Sequence, residues 1–204
     1  MNTTMWFDVV DLFGVFVGGI TGALVARRFS YDITGIWALA LVSGLGGGMI
    51  RDVLLQAGPP LALVEPRYLP TVLVATFVGA FFGGRIDSLK GTILVADAVA
   101  ISGFAVAGTL RTFDTGFGPW PAVLLGVITA VGGGLIRDVM TGVQPAIFQR
   151  SELYAFAALG TSLSLVLLRA LDLPRGMIIL ISIAVGIALR LGSVRFGWTT
   201  WAPR

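Results

Sequence analysis

Two stretches of this chain place charged pairs where charge is costly. Ser43–Val53 reads SGLGGGMIRDV and Thr129–Val139 reads TAVGGGLIRDV, each inside a long apolar run. Ionisable groups in hydrocarbon persist when they are paired or line a wet path, so Arg51, Asp52, Arg137 and Asp138 are candidate site residues. The glycines ahead of them, Gly46, Gly47, Gly48 and Gly132, Gly133, Gly134, each give up about 1 kcal/mol of helix propensity in water. They predict a break in each helix, with freed carbonyls that could take over part of an ion's hydration shell. The competing reading is that small residues simply let helices pack closely, as a Gly14, Gly18, Gly22 ladder does in the first apolar run. Ser43 and Thr129, one turn before the glycines, offer hydroxyls either to an ion or back to their own helix.

The two stretches agree at seven of eleven positions, at an offset of 86 that carries Gly46 onto Gly132. The same offset carries Asp11 onto Asp97, Gly22 onto Gly108 and Pro59 onto Pro145, so the match is a gapless internal repeat. It also supplies partners for the arginines. Ion pairs are expected between Asp11 and Arg51 and between Asp97 and Arg137, one at each end of a conduit. Adjacent residues lie about 100° apart round a helix, so an arginine and the aspartate after it are not expected to share a face.

The elements that must position these groups are read from composition and punctuation. The chain has 204 residues, 56% of them hydrophobic and 12% charged, about half the charge of a soluble domain. Apolar segments fall at about 9–27, 34–56, 69–86, 92–110, 120–141, 153–169 and 175–192, which leaves no length for a soluble domain. The fold class is an all-α membrane protein in a single transmembrane domain. Seven helices form two inverted three-helix repeats, about 9–86 and 92–169, plus a seventh helix at about 175–192; an odd number of crossings turns the second repeat upside down. The first segment is a spanning helix, because Asp8 and Asp11 precede it and Arg27 and Arg28 follow, the reverse of a signal peptide.

Arg67, Arg111, Arg169 and Arg175 fall on one side. Arg27, Arg28, Arg85, Lys90, Arg150, Arg190, Arg195 and Arg204 fall on the other, which places the N-terminus outside and the C-terminus in the cytoplasm. Trp6, Trp37, Trp120, Trp198 and Trp201 near helix ends read as an interfacial belt. The basic residues form no stripe, so the net charge of +3 does not point to nucleic acid. With no cysteine and no histidine, disulfides, thiolate metal sites and the commonest acid-base group are excluded, and no hydrolase motif is present. No cofactor and no metal site are expected; potassium or sodium enters only as a permeating ion.

Through GGGMIRDV and GGGLIRDV the chain resembles the prokaryotic branch of the trimeric intracellular cation channel family, a glycine-transporter-type domain. The resemblance covers essentially the whole chain. It implies a homotrimer in the plasma (inner) membrane with a pore for monovalent cations, chiefly potassium, in every protomer, and with the second and fifth helices bent at Gly46–Gly48 and Gly132–Gly134. It also assigns the family's basic and acidic positions to Arg51, Asp52, Arg137 and Asp138. The animal members' lysine-glutamate signature for an inositol lipid has no counterpart here.

Two functions therefore compete. One is a passive cation channel, favoured by carboxylates and carbonyls along the path. The other is a secondary transporter of a small solute such as an amino acid, since inverted repeats with broken helices suit alternating access.

Overall fold

The computed structural model describes residues 3–87, 90–148, 153–171 and 173–199. Arg150, Trp201 and Arg204, which entered the charge and belt readings, lie outside that range, as do the side chains of Trp6, Arg85 and Lys90. The described residues form α1 (Thr3–Arg28), α2 (Ile33–Leu55), α3 (Leu61–Val64), α4 (Tyr68–Asp87), α5 (Lys90–Asp114), α6 (Pro119–Met140), α7 (Tyr154–Arg169) and α8 (Arg175–Phe196). A 3₁₀ turn at Ala146–Phe148 precedes α7.

Local chemistry sets the boundaries. Asp32 caps α2, accepting from the Gly35 amide at 2.8 Å and the Thr34 hydroxyl at 2.7 Å. These donors, the Gly35 amide foremost, hold its exposed carboxyl below the usual carboxylate range. Pro119 opens α6, where a missing amide hydrogen does no harm. Gly197, at φ 63°, closes α8 in the left-handed conformation that glycine adopts without strain.

Five helical stretches are long and apolar enough to cross a membrane: Phe7–Arg28, Ile33–Leu55, Leu94–Asp114, Pro119–Met140 and Arg175–Phe196. Tyr68–Gly84 and Tyr154–Arg169 are shorter apolar helices. In the packing, α1 lies on α2, α4 and α5, while α6 lies on α5, α2 and α7; α8 covers α5 and α7. The two halves use matching contacts. A Cβ at Gly22 would press on the Leu39 carbonyl and Ser43, and one at Gly108 would press on the Leu125 carbonyl and Thr129, the same positions 86 residues on.

The expected helix breaks are absent. Both α2 and α6 run unbroken through Gly46–Gly48 and Gly132–Gly134. In a dry interior every stranded amide or carbonyl costs several kcal/mol, against about 1 kcal/mol for a glycine held in a helix, so the backbone ladder stays closed. The glycines instead permit contact. A Cβ at Gly47 would overlap the Thr129 carbonyl, and one at Gly133 would overlap the Ser43 carbonyl. Here α2 and α6 cross backbone to backbone.

Candidate functional site

At one end of that crossing Arg51 is almost wholly buried and bound on two sides. Its Nη1 stands 3.3 Å from Asp11 Oδ1 and its Nε donates to Asp52 Oδ1 at 2.8 Å. The Asp11–Arg51 pair expected from the repeat is therefore present, with side chains only 2% and 1% exposed. A guanidinium held by two carboxylates, with the Phe7 ring 5.5 Å beneath it, meets the requirement that buried charge be compensated. Asp52 also accepts from the Leu61 amide at 2.9 Å, which fixes the start of α3. Tyr68, at the start of α4, donates its hydroxyl to Asp11 Oδ2 at 2.5 Å.

The equivalent cluster in the second half is less deeply buried. Arg137 donates from Nε and Nη2 to Asp138 Oδ1 at 2.9 and 2.8 Å, and Asp138 Oδ2 accepts from the Ala146 amide at 3.2 Å, opening the 3₁₀ turn. Two expectations are corrected here. Asp97 pairs with Arg190 of α8, Oδ2 to Nε at 3.7 Å, instead of with Arg137. Each arginine also binds the aspartate that follows it, because a guanidinium on a long flexible stem reaches round the 100° that separates the two α-carbons.

Two cavities bordered by charged side chains occupy these ends. The larger, of about 30 Å³, has room for one or two waters and is bordered by Ser43, Gly47, Asp97, Thr129, Gly133, Gly134, Arg137 and Tyr154. The smaller, of about 10 Å³, is bordered by Asp11, Gly44, Gly48, Arg51, Asp52 and Tyr68. Gly46 and Gly132 border neither polar end directly: Gly46 faces the Ile136 side chain, and Gly132 lies against the Gly47 Cα and the Ile50 side chain. Thr129 donates its hydroxyl back to the Leu125 carbonyl at 2.6 Å, the local bond that competes with any ion. Among the described residues no cluster of three or more His, Cys, Asp or Glu is placed to hold a metal.

Three of these groups went unread in the sequence. Tyr68 and Tyr154 obey the offset of 86 and would have emerged by extending the repeat past Pro59 and Pro145. Arg190, whose guanidinium stands 5.2 Å from the Tyr154 ring, belongs to the helix outside the repeat, so no internal symmetry points to it.

Comparison with known proteins follows the same division of the chain. The family model described as Glycine transporter matches twice, over residues 8–84 and 94–170. The UPF0126 inner membrane protein YadS of Escherichia coli K12 is 33% identical over 193 residues, 94% of this chain and 91% of that one. A UPF0126 membrane protein of Deinococcus radiodurans is 37% identical over 150 residues, 73% of this chain and 70% of its own. Among solved structures, the TRIC trimeric intracellular cation channel orthologue from Rhodobacter sphaeroides superposes with a TM-score of 0.86 at 38% identity, covering 94% of this chain and 98% of that one. A second structure, described as giving the basis for conductance through TRIC cation channels, superposes at 0.89 with 29% identity and 97% coverage of both chains.

Proposed function

The chain belongs to the glycine transporter family, to which the trimeric intracellular cation channels belong, and from that premise we propose that it is a passive potassium channel with a pore in each protomer of a homotrimer. It is an all-helical, multi-pass inner-membrane protein, and the solved structures it superposes on are described as cation channels. The observation that carries the reading is the pair of cavities at opposite ends of the α2–α6 crossing, each bordered by a carboxylate and by an arginine that its neighbours neutralise.

In this reading α1, α2, α4, α5, α6, α7 and α8 are the seven spans of two inverted repeats and a final helix, with the N-terminus outside and the C-terminus cytoplasmic. Ser43, Gly47, Gly48, Thr129, Gly133 and Gly134 border the path, with the Asp11 and Asp97 carboxylates toward its two ends. Asp11, Asp52, Asp97 and Asp138 outnumber Arg51, Arg137 and Arg190 four to three, which keeps the potential favourable for a cation. No resident cofactor takes part. Membrane lipid and the other protomers cover the outward apolar surface, including the groove bordered by Val42, Met49, Val53, Leu63 and Leu69.

The test is reconstitution in liposomes. Stepwise unitary potassium currents with a reversal potential set by the potassium gradient support the channel. Saturable, solute-dependent uptake of glycine or another amino acid without unitary currents would instead identify a transporter.

A further inference from the structure

The two cavities are the same site in the two repeats. Asp11, Val15, Gly44, Gly48, Arg51 and Tyr68 around the smaller correspond, 86 residues on, to Asp97, Ile101, Ala130, Gly134, Arg137 and Tyr154 around the larger. Among the described residues, Phe104 of α5 is the one that borders both. Its own counterpart is Gly18, also on the wall of the larger cavity, so this position faces its equivalent between the two halves. One half supplies a benzyl ring there and the other a hydrogen atom.

The packing explains why a single ring is present. A Cβ at Gly18 would come within 3.0 Å of the Gly44 Cα and the Ser43 carbonyl, so α1 needs glycine there to lie against α2. Phe104 has no such restriction, and its ring rests on the bare backbone of Gly14, where a Cβ would stand 2.8–2.9 Å from three ring carbons. The ring is 7% exposed, an apolar group with the cavity that Asp11 borders on one side and the cavity that Asp97 borders on the other.

From this geometry we infer that Phe104 is the barrier of the conduction path, a hydrophobic partition between the Asp11 and Asp97 cavities. The inference rests on the channel reading for its physiological meaning. Water and ions cross such a constriction only when the apolar group moves aside, because the ring offers no polar atom to replace a hydration shell. The Gly14 recess fixes where the ring is parked, and the asymmetry between Phe104 and Gly18 gives a pseudo-symmetric path a single gate.

The chain contains no cysteine, so Ser43→Cys introduces one thiol, in the Asp97 cavity. Silver ion, close to potassium in size, is applied to either membrane face using spheroplasts and inverted vesicles. Thiol loss is then read by mass after alkylation of the denatured protein. With Phe104 present, labelling from the Asp11 face is at least about tenfold slower than from the Asp97 face; Phe104→Ala brings the two within about threefold and raises potassium flux at least about threefold. Phe104→Leu, a smaller change, gives an intermediate ratio and serves where the alanine variant does not fold. Equal labelling from both faces with Phe104 in place, or an unchanged ratio in a folded variant, overturns the partition. Labelling needs no ion turnover, so a changed ratio without potassium flux in any variant upholds the partition and removes the channel reading alone.

Discussion

Gly47 lies so close beneath the Thr129 carbonyl that a methyl group on its α-carbon would overlap the oxygen, and Gly133 stands in the same relation to Ser43. Gly48, the next residue on α2, has only the Arg51 guanidinium near it, at 3.6 Å from a built Cβ. Glycines that look alike in the sequence therefore do different work.

The first expected outcome follows from that contrast. Gly47→Ala or Gly133→Ala must push α2 and α6 apart, at about 1–3 kcal/mol, the range for overfilling a packed interior. Gly48→Ala has room and a helix-propensity gain, so its stability stays within about 1 kcal/mol of the parent. Thermal unfolding in detergent compares them, and equal losses at both positions would refute the close-crossing account.

Removing Asp11 leaves Arg51 buried with one carboxylate. Asp11→Ala should destabilise by about 3–5 kcal/mol, the cost of breaking a buried pair, whereas the double change with Arg51→Met should recover much of it. A double-mutant cycle on unfolding free energy measures the recovery. Additive losses would mean that the pair does not interact.

Asp97 should couple to Arg190 more strongly than to Arg137, since the 3.7 Å contact is with α8. Cycles built from Asp97→Asn with Arg190→Met and with Arg137→Met should differ, the first giving a coupling of about 0.5–3 kcal/mol. A larger coupling in the Arg137 cycle would restore the arrangement expected from the repeat.

Tyr68→Phe removes the hydroxyl that donates to Asp11 and keeps the ring. A loss of about 1–3 kcal/mol is expected, because a hydrogen bond to a charged, buried acceptor disappears. Tyr154→Phe serves as the comparison from the second repeat.

Asp32 gives a pH dependence with a definite sign. Its carboxyl is held below its ordinary 3.8 by the Gly35 amide and the Thr34 hydroxyl. The stability it contributes is therefore complete above that value and fades as pH falls through the lower, folded pKa. Asp32→Asn keeps an N-cap acceptor and loses the titration, so the parent and this variant should differ in their acid unfolding curves and not near neutrality. Superimposable curves below pH 4 would discount the cap.

Much of this architecture was legible in the residues. Six of the seven apolar segments were placed within about four residues of the ends of α2, α4, α5, α6, α7 and α8, because hydrocarbon thickness and turn residues constrain both ends of such helices, while α1 begins at Thr3, well ahead of the expected start near Val9. The short α3 and the 3₁₀ turn were not, being a few residues long and held by the Asp52 and Asp138 carboxylates from a neighbouring element. The glycine runs misled because propensity scales measured in water undervalue a closed hydrogen-bond ladder in a dry setting. The Asp11–Arg51 pair followed from the repeat, but Arg190 lies on a helix with no internal copy, and Phe104 is conspicuous only once the two cavities are seen to meet at its ring.

The reciprocal seating of Gly47 on Thr129 and Gly133 on Ser43 is the contact that two identical subunits make about a two-fold axis, here made within one polypeptide. Such a surface is its own complement. An enlargement at the crossing on one side is therefore tolerated only where the other side is matched to it.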